Sequence, residues 1–387
     1  MKKVFVFAVC GTNEHIDTLH YSLEKLKKFS NASIWIVTDA SRNEKAILHD
    51  TIIEIQTPKE FNNHQASIFL KTGLHKFLPK GNVYCYLDSD VVAVNSDCDK
   101  IFDEYIPPIR FAPDHCQMPL FSPSAVNCNC TEDISRLNDQ LNNALDLEDP
   151  FRKSNDEYII EKRKELEKLF WIHKQNFTVS MKTALKYFTS IREFHLSDQL
   201  VYNKKTKIWS DKNGIQFMKT SNMRKVCKKL GLKWSWMNPI PRLKDGRSIW
   251  RLECDHLPKY IHEKFGIEVR DRNWQHWNGG VFLFNDESHT FLEAWHQKTL
   301  SIFKDKKWKT RDQGTLIATV WKLGLANHPT LNKKWNLLAD YNNPSVQWQE
   351  GWKIQLSDTE VVKPNFVHVY HHFFDTNWLL WRKIDEL

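Results

Sequence analysis

Two carboxylates stand one residue apart, directly after the apolar run 83–87, in the segment Asp88-Ser89-Asp90. The run has the length and composition of a buried β-strand, which would place the pair at its carboxyl end. Ligands of parallel sheets bind beyond that end of the strands. Two carboxylates there suit Mg²⁺ or Mn²⁺, because these ions prefer oxygen ligands and keep positions open for phosphate oxygens. The alternative is that the aspartates only stabilise a turn.

Lys71 and a glycine pair are further candidates for the same site. Lys71 lies on a predicted helix ahead of the acidic pair, where it is a possible phosphate ligand. A solvated charge on the helix surface is the more common alternative. Gly279-Gly280 leads into the apolar strand 281–284. Such a pair is also typical of a β-bulge or a tight turn.

Asp312-Gln313 and His368 complete the set of polar candidates. Asp312-Gln313 opens a predicted helix, as an N-terminal cap would. His368 lies on the predicted strand 365–370, where a hydrogen-bonded core histidine is more common than a metal ligand. Of these candidates, the acidic pair and Lys71 favour a site for a metal ion that is held together with a diphosphate.

The elements that must position these residues alternate between strand and helix through the first 110 residues. Periodicity predicts strands over 4–9, 33–38, 51–55 and 83–87, and helices over 16–28 and 65–77. Strands separated by helices need crossover connections, which indicates a mainly parallel sheet covered on both faces. Apolar patterns typical of core strands and helices occur again later in the sequence. They predict a strand over 279–285, helices over 288–303 and 312–323, and a strand over 365–370.

The sequence therefore predicts an α/β core built from residues 1–113 and 266–370, with a tail over 371–387. Residues 114–265 form a predicted insertion that is mainly helical and basic, with helical patterns over 156–171 and 178–194. We expect this insertion to act as an acceptor-side subdomain next to the core.

The charge balance limits the classes of partner. Lysine and arginine exceed aspartate and glutamate by a net +8, which favours anionic partners. The basic stripe 204–233 is suited to an anionic acceptor or a membrane surface, although a solvated helix face is the more common explanation. The paired features of a nucleic-acid module do not occur. A signal segment and an apolar run of about 18 residues are also missing, so we expect a cytoplasmic protein with peripheral membrane contact at most.

The eight cysteines are few for this length and predict reduced thiols. The tightest group is Cys116, Cys128 and Cys130 with His115 nearby. This group lacks the paired C-x-x-C spacing of structural zinc sites, so the sequence favours ordinary loop thiols over zinc.

Several short motifs, in this order, resemble those of the GT-A nucleotide-diphospho-sugar transferases, in particular the retaining family that includes glycogenin and bacterial lipopolysaccharide galactosyltransferases. The resemblance covers about 220 residues at the two ends of the chain. The motifs are Phe7-Ala8-Val9-Cys10-Gly11-Thr12-Asn13 with Asp39, Leu70-Lys71 ahead of Asp88-Ser89-Asp90, Trp277-Asn278-Gly279-Gly280-Val281, Arg311-Asp312-Gln313 and Phe366-Val367-His368.

The resemblance implies a role for each matching residue. Mn²⁺ or Mg²⁺ would be held by Asp88, Asp90 and His368. A nucleoside-diphosphate sugar, with UDP as the expected nucleotide, would serve as donor, and the catalytic residues would be Asp312, Gln313 and Asn278. The residues implied to contact the nucleotide sugar are Val9, Cys10, Gly11, Thr12, Asp39, Lys71, Asp88, Ser89, Asp90, Gly279, Gly280 and His371.

The sequence departs from this family in two places. The middle of the chain is unlike it, and the Lys-Pro-Trp expected after the last histidine is replaced by the segment 370–375. The cation that would neutralise the leaving diphosphate is therefore open. The candidates are His371, His372, Arg382 and Lys383.

The expected activity is sugar transfer to a hydroxyl of a bacterial glycan or lipopolysaccharide, with retention implied by the resemblance alone. Inversion would require a carboxylate base, for which Asp255, Asp271 and Asp286 are candidates. A sugar-nucleotide nucleotidyltransferase is a weaker alternative, because the turn at Gly11 is neither glycine-rich nor basic. A non-catalytic carbohydrate-binding protein on a transferase fold is the second alternative.

Overall fold

The computed structural model describes residues 2–148, 157–175, 177–235, 238–249, 252–341, 346–357 and 360–387. The chain divides into two compact units: a core unit of Met1–Asn127 with Asp255–Leu387, and an inserted unit of Cys128–Cys254. Residues 114–127 and 255–265, which the sequence analysis assigned to the insertion, belong to the core unit. Within the described ranges, no helix combines the length and the apolar character that crossing a membrane requires.

The first part of the core unit alternates strands with helices. Apolar residues at Ile16, Leu19 and Leu23 form the buried face of its first helix. Its elements are β1 (Lys3–Ala8), α1 (Asn13–Phe29), β2 (Ser33–Thr38), β3 (Ile52–Glu54), α2 (Asn63–Thr72), α3 (Leu74–Phe77), β4 (Val83–Leu87), β5 (Val91–Ala93), β6 (Arg110–Gln117) and α4 (Met118–Ala125).

The inserted unit has most of its regular structure in helices, with two small antiparallel sheets. Its elements are α5 (Cys130–Glu148), α6 (Glu157–Gln175), α7 (Phe177–Thr189), β7 (Glu193–His195), β8 (Leu200–Asn203), β9 (Ile208–Asp211), β10 (Gln216–Lys219), α8 (Thr220–Lys229), β11 (Lys233–Ser235) and β12 (Asn238–Arg242). The predicted helix 178–194 stops at Thr189, and Phe194 packs from β7 into the core of this unit. Asp156, where the other predicted helix starts, lies outside the described residues.

The last part of the core unit returns to strands and helices. Its elements are α9 (His256–Phe265), β13 (Gln275–Phe284), α10 (His289–Ser301), α11 (Arg311–Lys322), β14 (Leu337–Leu338), β15 (Gln347–Gln349), β16 (Lys353–Ser357), β17 (Glu360–Val362), β18 (Phe366–His368) and α12 (Leu379–Asp385). The segment after residue 370, expected to be a tail, packs through Leu380 and Trp381 of α12 into a core cluster.

A six-stranded sheet with the order β3-β2-β1-β4-β13-β6 forms the centre of the core unit. Strands β3, β2, β1 and β4 are paired in parallel, and β13 is antiparallel to both β4 and β6. Val4 and Val6 of β1 belong to one hydrophobic cluster, whereas Phe5 and Phe7 belong to another. Both faces of the sheet are therefore buried, and the predicted α/β class with a mainly parallel sheet is confirmed.

Two pairings bring distant parts of the chain to the carboxyl end of β4. In the β13–β4 ladder, Val281 is opposite Leu87, so that the preceding residues of β13 extend past the end of β4. The backbone N–H of Asp88 donates to the carbonyl of Gly280 at 2.9 Å. A three-stranded sheet, β14-β18-β5, sets His368 opposite Val91.

Within the core unit, hydrogen bonds connect the segment before the insertion to the segment after it. The backbone N–H of Leu257 on α9 donates to the hydroxyl of Ser122 on α4, at 2.9 Å. The hydroxyl of Tyr260 lies 3.4 Å from the carbonyl of Asn127 and donates to it. The chain therefore leaves and re-enters the core unit on neighbouring helices, a pair that we call the neck.

Candidate active site

The acidic pair meets a histidine at the carboxyl edge of the central sheet. Asp88 and Asp90 follow β4, and His368 is the last residue of β18. One ligand atom from each of these three side chains lies within 4.8 Å of the other two. Nε2 of His368 is 3.2 Å from Oδ1 of Asp90. Two carboxylates and one imidazole thus converge, and this donor set fits a divalent cation such as Mn²⁺ or Mg²⁺.

Lys71, in the last turn of α2, places a buried ammonium between two carboxylates. Its Nζ is 3.1 Å from Oδ1 of Asp88 and 3.0 Å from Oδ2 of Asp312. Burial would lower the pKa of Lys71, but its attraction to Asp312 and Asp88 outweighs burial and raises it. Only 7% of the residue is exposed. Lys71 is therefore a cation inside the acidic cluster and not a solvated charge on a helix surface.

The two carboxylates of the pair have different electrostatic environments. Burial raises the pKa of Asp88, and the charge of Asp90 adds to this increase, while Lys71 opposes it. Burial would also raise the pKa of Asp90, but His368 stabilises its ionised form and lowers it. Asp90 in turn raises the pKa of His368 against the effect of burial. Protons therefore compete with a cation for this site.

A chain of buried amides holds the other nitrogen of His368. Nδ1 of His368 is 3.1 Å from Oδ1 of Asn336, and Nδ2 of Asn336 donates to Oδ1 of Asn278 at 3.0 Å. Nδ2 of Asn278 then donates to Oδ2 of Asp114 at 3.0 Å. The bond from Nδ2 of Asn336 to Asn278 fixes the orientation of the Asn336 amide, so that its oxygen faces His368. An amide oxygen only accepts, so Nδ1 of His368 is the donor. This orientation leaves Nε2 facing the acidic pair, as a metal-binding histidine requires.

The glycine pair lies inside the site, at positions where an added side chain would press on neighbouring residues. A Cβ added at Gly280 would be 2.5 Å from Cε1 of His368 and 2.8 Å from Oδ1 of Asn278. A Cβ at Gly279 would be 3.3 Å from Nζ of Lys71. The β13–β6 register also shifts between Asn278 and Phe282, so the bulge expected as the alternative is present as well.

Asp312 and Gln313 enter the site from the first turn of α11. The N-terminal cap of this helix is Thr310, so neither residue caps it. Asp312 pairs with Lys71, and Oε1 of Gln313 accepts from the backbone N–H of Gly279 at 3.3 Å. The structure therefore links Asp312 to Asp88 through Lys71 and places Gln313 at Gly279. Their catalytic role, like that of Asn278, stays a prediction.

The residues expected to face the nucleotide lie at the same edge of the sheet, after β1 and β2. Val9 and Cys10 are buried, and the hydroxyl of Ser67 donates to the Cys10 carbonyl. Gly11 has a φ of +121°, which side chains rarely adopt, and its N–H donates to Oδ1 of Asn43. The hydroxyl of Thr12 is 2.7 Å from Nδ1 of His15.

Asp39 is built into the turn after β2. Its Oδ1 accepts from the N–H and hydroxyl of Ser41, and its Oδ2 accepts from the N–H and hydroxyl of Thr57. These bonds lower its pKa although burial opposes them. Asp39 therefore fixes the shape of this loop, and its expected contact with a nucleoside stays a prediction.

The remaining candidates do not enter the acidic cluster through any contact described here. The carbonyl of Ser89 accepts from the hydroxyl of Ser22 at 2.6 Å. His371 is exposed and lies against the ring of Tyr370, while His372 stacks on Tyr341. Lys383 pairs with Glu386. The identity of the cation that would face a leaving diphosphate thus stays open.

Three residues of the site had no signal in the sequence analysis: Asn336, Asp114 and Tyr86. Asn336 precedes the two-residue strand β14, which is too short to show a period. Asp114 is the buried end of the amide chain. Tyr86 donates its hydroxyl to Oδ1 of Asp88 at 2.6 Å. Its position two residues before Asp88 is the one available clue, because alternate residues of a strand share a face.

The sequence matches no protein-family model, and it matches no curated protein. Three of the solved structures that align with the chain are described as glycosyltransferases. The apo structure of the bifunctional glycosyltransferase WbbM aligns with a TM-score of 0.37 at 10% identity, covering 87% of this chain and 40% of that one. The chain thus spans about two fifths of the length of WbbM.

The other two structures align with lower scores. Apo mouse xyloside xylosyltransferase 1 has a TM-score of 0.33 at 11% identity, with 88% of each chain covered. The apo glycosyltransferase GlyE of Streptococcus pneumoniae TIGR4 has a TM-score of 0.21 at 15% identity, with 29% of each chain covered. Because each score is below 0.5, function must be argued from the site itself.

Proposed function

We propose that this protein is a metal-dependent glycosyltransferase that moves a sugar from a nucleoside-diphosphate sugar to a hydroxyl group of a glycan or glycolipid. The observation that carries the proposal is the convergence of Asp88, Asp90 and His368 at the carboxyl edge of a mainly parallel sheet. That edge is where α/β proteins bind nucleotides. The resemblance in the sequence motifs favours UDP as the nucleotide.

A divalent cation would be held by Asp88, Asp90 and His368, and when bound it would stabilise the charge of a leaving diphosphate. The amide of Asn336 orients His368 for this role, since it accepts from the nitrogen that faces away from the acidic pair. Tyr86 orients Asp88 in the same way, through its hydroxyl.

Lys71 connects Asp88 of the proposed metal site to Asp312, which the resemblance places at the donor sugar. Its ammonium contacts both Asp88 and Asp312, and its positive charge offsets the repulsion between these two carboxylates. The adjacent Gly279 and Gly280 are buried, and a side chain at either position would press on the residues that form the site, Lys71 at Gly279 and His368 at Gly280. We infer that the transferred sugar lies beside Asp312 and Gln313, the pair that the resemblance places at the donor sugar.

The test is a panel of nucleotide sugars incubated with Mn²⁺, with Mg²⁺ or with a chelator, while the release of nucleoside diphosphate is followed. We expect metal-dependent release from one donor. Asp90→Asn should lower the rate at least about 100-fold, because it removes a metal ligand. Asp103→Asn is the matched control, since this exposed carboxylate of the core unit pairs with Lys3 at 2.8 Å and was not a candidate for the site.

Each alternative has its own outcome in this experiment. Formation of pyrophosphate from a nucleoside triphosphate and a sugar phosphate would favour a nucleotidyltransferase. Sugar binding by calorimetry without turnover of any donor would favour a non-catalytic protein. Equal rates for Asp90→Asn and Asp103→Asn would show that Asp90 does not contribute to the reaction. Proton NMR of the first product anomer would test the proposed retention of configuration.

A further inference from the structure

Three cysteines of the inserted unit lie together although they come from its opposite ends in the sequence. Cys128 and Cys130 stand at its start, and Cys254 is its last residue. Their sulfur atoms all lie within 4.8 Å of one another. Cys130 and Cys254 are buried, and Cys128 is partly buried. This group is distinct from the acidic pair, which belongs to the core unit.

The distance between the sulfur atoms of Cys128 and Cys254 can be compared with that in a disulfide and with that between two ligands of a zinc ion. Sγ of Cys128 is 3.9 Å from Sγ of Cys254. A disulfide requires about 2.05 Å between the sulfurs, so the two are not cross-linked to each other. A tetrahedral zinc ion with Zn–S bonds of about 2.3 Å separates its sulfur ligands by about 3.8 Å. The thiols are therefore spaced as zinc ligands are.

The order of residues along the chain supplies a fourth ligand. The inserted unit starts with Cys128-Asn129-Cys130, and its last residue, Cys254, is followed in the sequence by Asp255 and His256. His256 is only two residues beyond Cys254, so it is the nearest histidine along the chain. Three thiolates and one imidazole form one of the common ligand sets of structural zinc sites.

A positively charged side chain next to the cysteines also suits the net charge of a zinc ion bound by thiolates. A zinc ion bound to three thiolates and a neutral imidazole carries a net charge of −1. Nη1 of Arg247 lies 3.8 Å from Sγ of Cys130, which places a guanidinium next to that charge. Cys130 is the first residue of α5, where the helix dipole also favours a thiolate.

We propose that Cys128, Cys130 and Cys254, with His256 as fourth ligand, bind one structural zinc ion that joins the two ends of the inserted unit. Four protein ligands leave no open position, so the ion has a structural and not a catalytic role. Zinc was not expected from the sequence, because Cys116, Cys128 and Cys130 lack C-x-x-C spacing; in the structure Cys254 joins Cys128 and Cys130, whereas Cys116 lies near Asp114 and His276 in the core unit.

The first test measures the zinc content of the full chain, purified without chelator, by plasma mass spectrometry. We expect about one zinc ion per chain, and less than a tenth of that in the double variant Cys128→Ser/Cys130→Ser. Cys227→Ser is the matched control, because this buried thiol of the same unit lies on α8, outside the group. Asp90→Asn should also keep its zinc, which separates this site from the proposed catalytic metal.

The second test does not depend on the folding of a cysteine variant. Zinc in the parent chain is exchanged for Co²⁺, and the absorption spectrum is recorded. We expect thiolate-to-cobalt charge-transfer bands and the strong visible bands of a tetrahedral ion. His256→Ala should weaken Co²⁺ binding by at least about tenfold. A parent chain without zinc that gives no charge-transfer bands would overturn the proposal, and so would a double variant that keeps its zinc.

Discussion

His368 is held from both sides of its ring. Nε2 faces Asp90, while Nδ1 is bonded to Asn336, whose own amide is fixed by Asn278. Such outer partners usually matter because they set both the tautomer and the orientation of the ligand. The position of the imidazole therefore depends on a residue that touches neither Asp88 nor Asp90 in any contact described here.

We expect Asn336→Ala to weaken Mn²⁺ binding by about 10- to 100-fold, because the ring of His368 loses the acceptor that orients it. The affinity can be measured by electron paramagnetic resonance of the unbound ion. Asn365→Ala is the control, since Asn365 is another buried asparagine and bonds to Asn95, away from the acidic pair. Equal affinities in the two variants would refute a positioning role for Asn336.

A methyl group at residue 280 should also displace His368. The added Cβ of Gly280→Ala would lie 2.5 Å from the ring, so either the ring or β13 must move, at a cost of about 1–3 kcal/mol. We expect weaker Mn²⁺ binding together with a lower melting temperature.

Gly279→Ala provides the comparison, because its Cβ would meet the ends of two side chains at longer distances, Nζ of Lys71 at 3.3 Å and Oε1 of Gln313 at 3.6 Å. We expect Gly279→Ala to lose less stability and less Mn²⁺ affinity than Gly280→Ala. The reverse order would contradict the packing that the structure gives to His368.

At the scale of single residues, the sequence could predict the site only where motifs exist. Asp88, Asp90 and His368 were assigned to one metal site, and they do lie together, although metal binding itself stays a prediction. Asn336 could not be found, because a lone asparagine has no spacing that reveals its partners. Its role depends on the pairing of β14 with β18, which is a tertiary contact.

At the scale of elements, strands and helices with strong periodicity were predicted to within a few residues. The helix predicted over 65–77 is divided into α2 and α3 at Gly73, whose backbone departs from the helical conformation with φ −89° and ψ 4°. The direction of β13 could not be read from its sequence, since a fully buried strand shows the same apolar run in either orientation.

A buried histidine between α2 and α10 should make the stability of the core unit depend on pH. The hydroxyl of Thr72 donates to the carbonyl of Ile68, which leaves it to accept from Nδ1 of His296. Burial lowers the pKa of His296 to about 4, and the positive charge of Lys76 adds to this decrease. The charged imidazole therefore does not fit this interface.

The sign of the pH dependence follows from this shift. Between pH 6.5 and about 4, the unfolded chain binds a proton at residue 296 that the folded chain does not. The free energy of unfolding should thus be independent of this group above pH 6.5. On acidification to pH 4 it should fall by up to about 3 kcal/mol.

Urea unfolding at a series of pH values would measure this loss. We expect His296→Gln to flatten the dependence in this range, and His289→Gln, at the exposed start of the same helix, to keep the parental slope. His75 lies near His296, and burial lowers its pKa as well, so part of the slope should remain. An unchanged slope in His296→Gln would exclude this histidine as its source.

At the scale of the whole molecule, the two parts of the core unit that flank the insertion are in contact at the neck. Ser122 and Leu257 are hydrogen-bonded there, and so are Asn127 and Tyr260. We therefore expect the core unit to fold without residues 128–254 when these are replaced by a Gly-Ser linker of about eight residues.

The shortened chain should unfold in one cooperative transition and bind Mn²⁺ within about threefold of the parent, because all three proposed ligands remain. Circular dichroism and paramagnetic resonance would measure these two properties. Asp90→Asn in the shortened chain should abolish Mn²⁺ binding, which shows that any binding observed occurs at the acidic pair. A shortened chain without cooperative unfolding would show that the core unit requires the insertion.

The neck also determines how such a protein can diversify. A segment whose two ends are anchored next to each other can be lengthened, shortened or replaced without moving the strands that it interrupts. Changes of length between residues 128 and 254 thus leave the hydrogen bonds of the neck, Ser122 with Leu257 and Asn127 with Tyr260, in place. Relatives of this chain should accordingly differ most in that segment, and a change of substrate can arise there by exchange of one contiguous stretch of the gene.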